Sequence, residues 1–154
     1  MRIGVPSAAA GVVLSIALSA AAPTTAAARG EVVHFRGDVT PGTVLVRTSE
    51  RRLYYVLGDG LALRYPVGVG RMGKQWSGVT YIEGKYLRPA WSPPPDVKRD
   101  KPSLPDIIPG GSPHNPMGEA ALTLRGGNYA IHGTNAPNSI GRFVSYGCIR
   151  MHND

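Results

Sequence analysis

Apolar and polar residues alternate over short stretches of this chain, and a helical period is almost absent. Thr43 to Val46 and Leu53 to Leu57 read as two strands around the charged turn Thr48-Ser49-Glu50-Arg51-Arg52, which is a hairpin signal. Gly58-Asp59-Gly60 makes the next turn. Leu61 to Val69 then alternates, with Leu61, Leu63, Tyr65, Val67 and Val69 on one face, and Gly68-Val69-Gly70 reads equally as a strand end or a binding loop. Thr80 to Ile82 reads as a short strand. Ala120 to Leu124 reads as another, and Gly126-Gly127 turns into Asn128 to His132. From Pro89 to Pro116 prolines keep the chain in a long loop, because Ser92-Pro93-Pro94-Pro95 fits neither a helix interior nor a central strand. Leu104, Ile107 and Ile108 argue that this loop is tied down. Helix signals are confined to Pro95 to Lys101 and a turn at Asn138 to Phe143, so the expected fold is mainly β, with long loops and few short helices.

The N-terminus breaks this pattern. Met1 to Ala28 carries one positive charge at Arg2, an apolar run around Ala8 to Ala22, and small residues at Ala26 and Ala28 that suit cleavage before Arg29. It reads as a secretory signal peptide rather than a membrane anchor, since Pro23, Thr24 and Thr25 interrupt the run short of the ~20 apolar residues a span needs. No later segment is apolar enough to span, so stable membrane insertion after cleavage is not expected. Residues 29–41 read as a short, mixed lead-in, and residues 42–154 suffice for one domain with a hydrophobic core.

Charge narrows the partners. Lys and Arg number 17 against 10 Asp and Glu, a formal net charge of +7, and the excess survives removal of Arg2. The positive residues are thinly spread (Arg51-Arg52, Lys98-Arg99, Lys101) with no aromatic-basic alternation, so nucleic acid is not expected as a partner. Outside the cytoplasm an anionic partner would be the cell wall or outer surface, approached partly by electrostatic steering.

An exported chain with one cysteine cannot form an internal disulfide. Alone, Cys148 would read as a small buried apolar residue. Its surroundings argue otherwise. His132 ends an apolar strand, a loop rich in Gly, Asn and Pro comes next, and Cys148 arrives sixteen positions later, far enough for the loop to return imidazole to sulfur. A thiol of pKa ~8.5 is only a few per cent thiolate at neutral pH unless a neighbouring histidine takes its proton, so the pair suggests a nucleophile and its base for acyl transfer. Gly147 permits a sharp turn in which the amides around Gly147 and Cys148 could face a developing oxyanion. His114 and His34 read as solvated loop residues. Cys148, His132 and His152 match no closed zinc site, so neither a metal nor another cofactor is expected.

The motifs His132-Gly133-Thr134-Asn135, Ile140-Gly141 and Ser145-Tyr146-Gly147-Cys148-Ile149-Arg150-Met151 resemble the signature of the L,D-transpeptidase (YkuD-type) catalytic domain. Leu53-Tyr54-Tyr55, Tyr65-Pro66-Val67-Gly68-Val69-Gly70, Pro89-Ala90-Trp91-Ser92-Pro93-Pro94, Pro109-Gly110-Gly111 and Asn115-Pro116-Met117-Gly118 extend the resemblance over 42–154. Three departures stand out. Tyr146 replaces a frequent histidine, Ser77-Gly78-Val79-Thr80 replaces a Thr-Pro-x-Gly turn, and family domains usually continue past the point where this chain stops, with a helix and a final strand. Met151-His152-Asn153-Asp154 reads as a helix N-cap without its helix, and a longer natural product is the expectation.

The resemblance implies a β-sandwich-like domain that attacks the peptide stem of peptidoglycan, giving a Cys148 thioester and free D-Ala. The acyl group would pass to another stem, to a lipoprotein lysine at the outer membrane, or to water, with the periplasm or cell envelope as the location. Cys148 would be the nucleophile and His132 the base, oriented by a backbone carbonyl near Gly133, by the Ser145 hydroxyl or by Tyr146. Arg150 could hold a substrate carboxylate through its planar fork, and Thr134 and Asn135 would lie along the substrate. Two rivals remain at this level: a wall-binding protein without turnover, and a cysteine carboxypeptidase or hydrolase of stem peptides.

Overall fold

A computed structural model of the chain describes residues 30–127 and 129–154; the expected leader at Met1 to Ala28 lies outside them. The expected hairpin forms where the alternation is cleanest. Strand β2 (Val44–Arg47) pairs antiparallel with β3 (Arg52–Gly58), with Val46 opposite Leu53. Across the Gly58-Asp59-Gly60 turn β3 pairs with β4 (Leu61–Pro66). The lead-in contributes a strand of its own, since β1 (Glu31–His34) pairs antiparallel with β4 and completes a sheet of order β1-β4-β3-β2. Residues 30–35 are therefore part of this sheet and its packing, although the lead-in was expected to precede the domain.

The third strand is shorter than its alternation suggests. It stops at Pro66, and Val67 and Gly68 carry the chain to β5 (Val69–Gly70), which pairs in parallel with β9 (Phe143–Ser145). Within β4 the fully buried residue is Ala62, on the face opposite the Leu61, Leu63 and Tyr65 set. The physical reason is a second apolar cluster, in which Phe35, Tyr54, Val56 and Ala62 pack together. Apolar side chains therefore cover both faces of this sheet.

The second sheet has the order β10-β8-β7-β6, built from β6 (Ile82–Leu87), β7 (Ala120–Leu124), β8 (Ala130–His132) and β10 (Ile149–Arg150). Strand β7 spans the residues the sequence indicates. Strand β6 does not: it begins where the expected strand at Thr80 to Ile82 ends and runs on to Leu87. It is an edge strand whose side chains are almost all exposed, so no buried-exposed alternation marks it in the sequence. Leu53, Val67 and Val69 meet Leu124, Ile131 and Ile149 in one buried cluster, which makes the two sheets a sandwich with a shared core.

Between β6 and β7 runs the proline-rich loop, which carries the single-turn α1 (Pro95–Asp100) and one isolated bridge between Trp91 and Ile108. Ile108, one of the apolar residues expected to tie it down, is buried, and Asn115 ties it down as well. Its Nδ2 donates to the carbonyls of Pro89, Ile108 and Pro109 and its Oδ1 accepts the Met117 amide, whereas Ile107 is exposed.

Candidate active site

Strands β8 and β10 pair in parallel, with Ile131 beside Ile149 and His132 beside Arg150. Successive side chains of a strand face opposite sides. Ile131 and Ile149 enter the core between the sheets, so His132 and Arg150, and with them the neighbouring Cys148 two residues before Arg150, belong to the other side. One pairing register thus assembles a thiol, an imidazole and a guanidinium on a single face.

The imidazole of His132 is buried and its Nδ1 lies 2.6 Å from the Gly133 carbonyl oxygen. A carbonyl can only accept, so Nδ1 carries the proton and Nε2 keeps the lone pair that could receive one from a thiol. Burial pushes the pKa of His132 down to about 4, opposed by the carbonyls of Gly133 and Pro116 and reinforced by the charge of Arg150. Burial also pushes the Cys148 thiol up, while the Ala130 backbone and Arg150 pull it back. At neutral pH both partners are therefore uncharged in the free protein.

The turn that presents Cys148 uses its own polar groups. Ser145 is buried; its hydroxyl donates to the Cys148 carbonyl at 2.6 Å and accepts the Gly147 amide at 3.1 Å. Two expectations are revised by this. The Ser145 hydroxyl braces the turn and does not serve the imidazole, and the Gly147 amide is already committed to it, so that amide is not a free oxyanion donor. Gly147 adopts φ +124°, and a Cβ there would collide with the ring of Tyr129. That ring stacks on Trp76 at 5.1 Å between centroids, and the Trp76 indole N–H donates to the Gly147 carbonyl at 2.9 Å. Sequence reading passed over Trp76. An indole in the polar run Gln75-Trp76-Ser77-Gly78 was the available signal, because a Trp N–H held in structure seeks an acceptor.

Tyr146 also departs from its expected orienting role. Its hydroxyl donates to Asp100 Oδ2 at 2.7 Å, and the Arg71 guanidinium lies 4.1 Å from its ring centre. Thr134 is buried and its hydroxyl accepts the Ala136 amide at 3.0 Å. Asn135 is exposed and donates to the Pro113 carbonyl at 3.3 Å. Asn153, read from the sequence as a helix cap, instead grips both main-chain groups of Thr134: Oδ1 accepts its amide, and also that of Glu119, while Nδ2 donates to its carbonyl. A side chain at Gly133 would strike the same Asn153 oxygen.

Arg150 is half-buried, and its Nε makes no hydrogen bond among the described residues. Burial lowers its pKa. A guanidinium held this way beside the thiol is suited to an anionic group of a ligand. A cavity of about 870 Å³ lies elsewhere, between the sheets; it is lined by Val44, Val46, Trp76, Leu124, Ile131 and Ile149 among others and shares only Gly147 and Ile149 with the catalytic motif. No group of three His, Cys, Asp or Glu among the described residues could hold a metal ion.

Residues 41–154 match the family model for the YkuD L,D-transpeptidase catalytic domain. The chain is 42% identical over 126 residues to the probable L,D-transpeptidase ErfK/SrfK of Escherichia coli, covering 76% of this chain and 39% of that protein. It spans about two fifths of the length of the Escherichia coli relatives ErfK/SrfK and YbiS. A crystal structure from Brucella melitensis, described as a probable carnitine operon oxidoreductase, superposes with a TM-score of 0.61 at 35% identity over 81% of both chains. The catalytic domain of an Enterococcus faecium L,D-transpeptidase, described as acylated by ertapenem, superposes with a TM-score of 0.53 at 17% identity over 76% of this chain and 85% of that one, a likeness of fold. On the family match, the chain belongs to the L,D-transpeptidase catalytic domain family.

Proposed function

We propose that this domain performs cysteine-dependent L,D-transpeptidation on peptidoglycan stem peptides outside the cytoplasm. The observation that carries the reading is the parallel register of β8 and β10, which sets Cys148, His132 and Arg150 on one sheet face, with His132 Nδ1 held by the Gly133 carbonyl. The oxidoreductase description of the Brucella chain finds no counterpart in the relatives named above, and this pair of groups is suited to acyl transfer.

In the first half-reaction Cys148 Sγ attacks the carbonyl of the bond between the diamino acid and D-Ala, while His132 Nε2 takes the thiol proton. Because Nδ1–H already points at a carbonyl, the imidazolium that forms is stabilised in place. The Gly147 amide is engaged by Ser145, so the oxyanion falls to the Cys148 amide. Collapse breaks the C–N bond, His132 returns the proton to the amine, and D-Ala leaves a thioester behind. An acceptor amine, from a second stem or a lipoprotein lysine, then attacks the thioester carbonyl and gives a proton to His132; the C–S bond breaks, and Cys148 Sγ leaves as the thiol by taking that proton back. Arg150 holds a stem carboxylate throughout. The N-terminal leader accounts for export, and the basic chain is steered to an anionic wall.

Ertapenem tests the reading, since the Enterococcus faecium domain is described as acylated by it. Intact-mass spectrometry should show one adduct on this protein and none on Cys148→Ala. An adduct on both, or on neither, would defeat the assignment.

A further inference from the structure

Three segments distant in sequence meet beside the nucleophile turn at one carboxylate oxygen. Asp100 Oδ2, at the end of α1, receives the Tyr146 hydroxyl at 2.7 Å and Arg71 Nη2 at 2.7 Å. The Arg71 guanidinium also stacks 4.1 Å from the centre of the Tyr146 ring, so the three side chains close a triangle of contacts. Arg71 is attached to the turn by its backbone as well, its amide donating to the Ser145 carbonyl at 2.9 Å. A second tie runs parallel to the first: Lys74 Nζ pairs with Asp96 at 2.8 Å and lies 5.7 Å from the same tyrosine ring. Asp96 lies in the first turn of α1 and Asp100 ends it, so the helix is tied beside the Tyr146 ring near both its ends. Tyr146 immediately precedes Gly147 and Cys148, and any movement of its ring is passed to the sulfur through two peptide units.

Resting on the transpeptidase reading, we propose that Asp100 and Arg71 are positioning residues for the nucleophile. Through Tyr146 they fasten the proline-rich loop to the Tyr146-Gly147-Cys148 turn and hold the thiol where its base can reach it. Neither residue touches the reacting atoms. Their side chains are 38% and 43% exposed, so as a simple surface ion pair they would contribute little to stability. Their effect is geometric: misplacing a reacting group by about 1 Å can cost up to ~100-fold in rate. Tyr146→Phe keeps the ring and its contact with Arg71 and loses only the hydroxyl, whereas Asp100→Ala loses both bonds at once.

The experiment measures ertapenem acylation rates for the wild type, Asp100→Ala, Tyr146→Phe and the double variant, with circular dichroism as the check on folding. Asp100→Ala should acylate about tenfold more slowly with its thermal midpoint within ~2 °C of wild type, and Tyr146→Phe should lose less than tenfold. The two losses should not multiply, because both variants break one shared contact. At ~1 M salt, where screening extends only about 3 Å, the gap between wild type and Asp100→Ala should narrow. A wild-type rate in Asp100→Ala, a loss matched by a fall in folded fraction, multiplying losses, or a gap unchanged by salt would each overturn the proposal. Failure of the wild type to react with ertapenem would count against the transpeptidase reading alone. The same four proteins would then be compared by iodoacetamide alkylation of Cys148, which needs no peptide substrate but still depends on how far a base activates the thiol, with the same criteria.

Discussion

At the scale of single residues, the site turns on how burial treats two titratable groups. His132 has its pKa lowered to about 4 in the folded chain from an ordinary 6.5. Between these values the unfolded chain binds a proton that the folded chain refuses, so stability is full above about pH 6.5 and is lost as pH falls toward 4. The shift corresponds to roughly 3 kcal/mol, and urea denaturation across this range should show a fall of that order, flattened in His132→Gln. The same neutral imidazole is the form that accepts a proton. Acylation should therefore persist down to about pH 5, and His132→Ala should cost about two to four orders of magnitude at neutral pH. Cys148→Ser is the stricter companion to Cys148→Ala, because a hydroxyl of far higher pKa should not be activated by a base placed for a thiol. It should give no ertapenem adduct by mass spectrometry while keeping the wild-type circular dichroism spectrum.

At the scale of elements, the loop between β6 and β7 shows how a long irregular segment is held without a core of its own. Asn115 is 1% exposed and supplies four hydrogen bonds, three to carbonyls of the segment around Pro89, Ile108 and Pro109 and one from the Met117 amide. Removing it takes their printed partner from the Pro89 carbonyl and the Met117 amide, each worth about 1–3 kcal/mol, while the Ile108 and Pro109 carbonyls keep the Trp91 and Ser112 amides. Asn115→Ala should therefore lower the unfolding free energy by about 3 kcal/mol in urea titration. Because α1 rides on this loop, acylation should slow at the same time. Little of this was legible in advance. Prolines announce that a segment is neither helix nor central strand, and α1 itself was expected at Pro95 to Lys101, but which asparagine satisfies distant carbonyls depends on where the segment is laid down. Strand β6 shows the same limit, since an exposed edge strand carries no burial alternation to read.

At the scale of the whole molecule, the sandwich depends on a few fully buried residues from both sheets. Val67 and Val69 have no exposed surface and contact Leu53, Leu124, Ile131 and Ile149. Val67→Ala should cost about 2 kcal/mol in unfolding free energy through lost burial and the cavity left behind. The effect should reach the site as well, since Ile131 and Ile149 in that core stand on the strands that carry His132 and Arg150. Thermal unfolding of Val67→Ala with and without prior ertapenem acylation would measure both. A lower midpoint is expected in each state.

The sequence by itself determined what local pattern and covalent order can carry. The hairpin of β2 and β3 comes from alternation and turn chemistry, β7 from its apolar run, and the thiol and imidazole from a spaced motif whose residue types already define a chemistry. Those features need only neighbours a few positions away, or a motif read in order. Tertiary structure decided the rest. Whether His132 and Cys148 share a face depends on the register of two parallel strands, which no single stretch specifies. The partners of the turn that presents Cys148, Trp76 for Gly147 and Asp100 for Tyr146, lie 71 and 46 positions away along the chain. Ser145, Thr134 and Asn153 each offer a polar group that could serve a substrate, a cap or the backbone. Packing decided which main-chain groups each of them reaches, because an amide or carbonyl takes the nearest donor or acceptor that the fold brings to it.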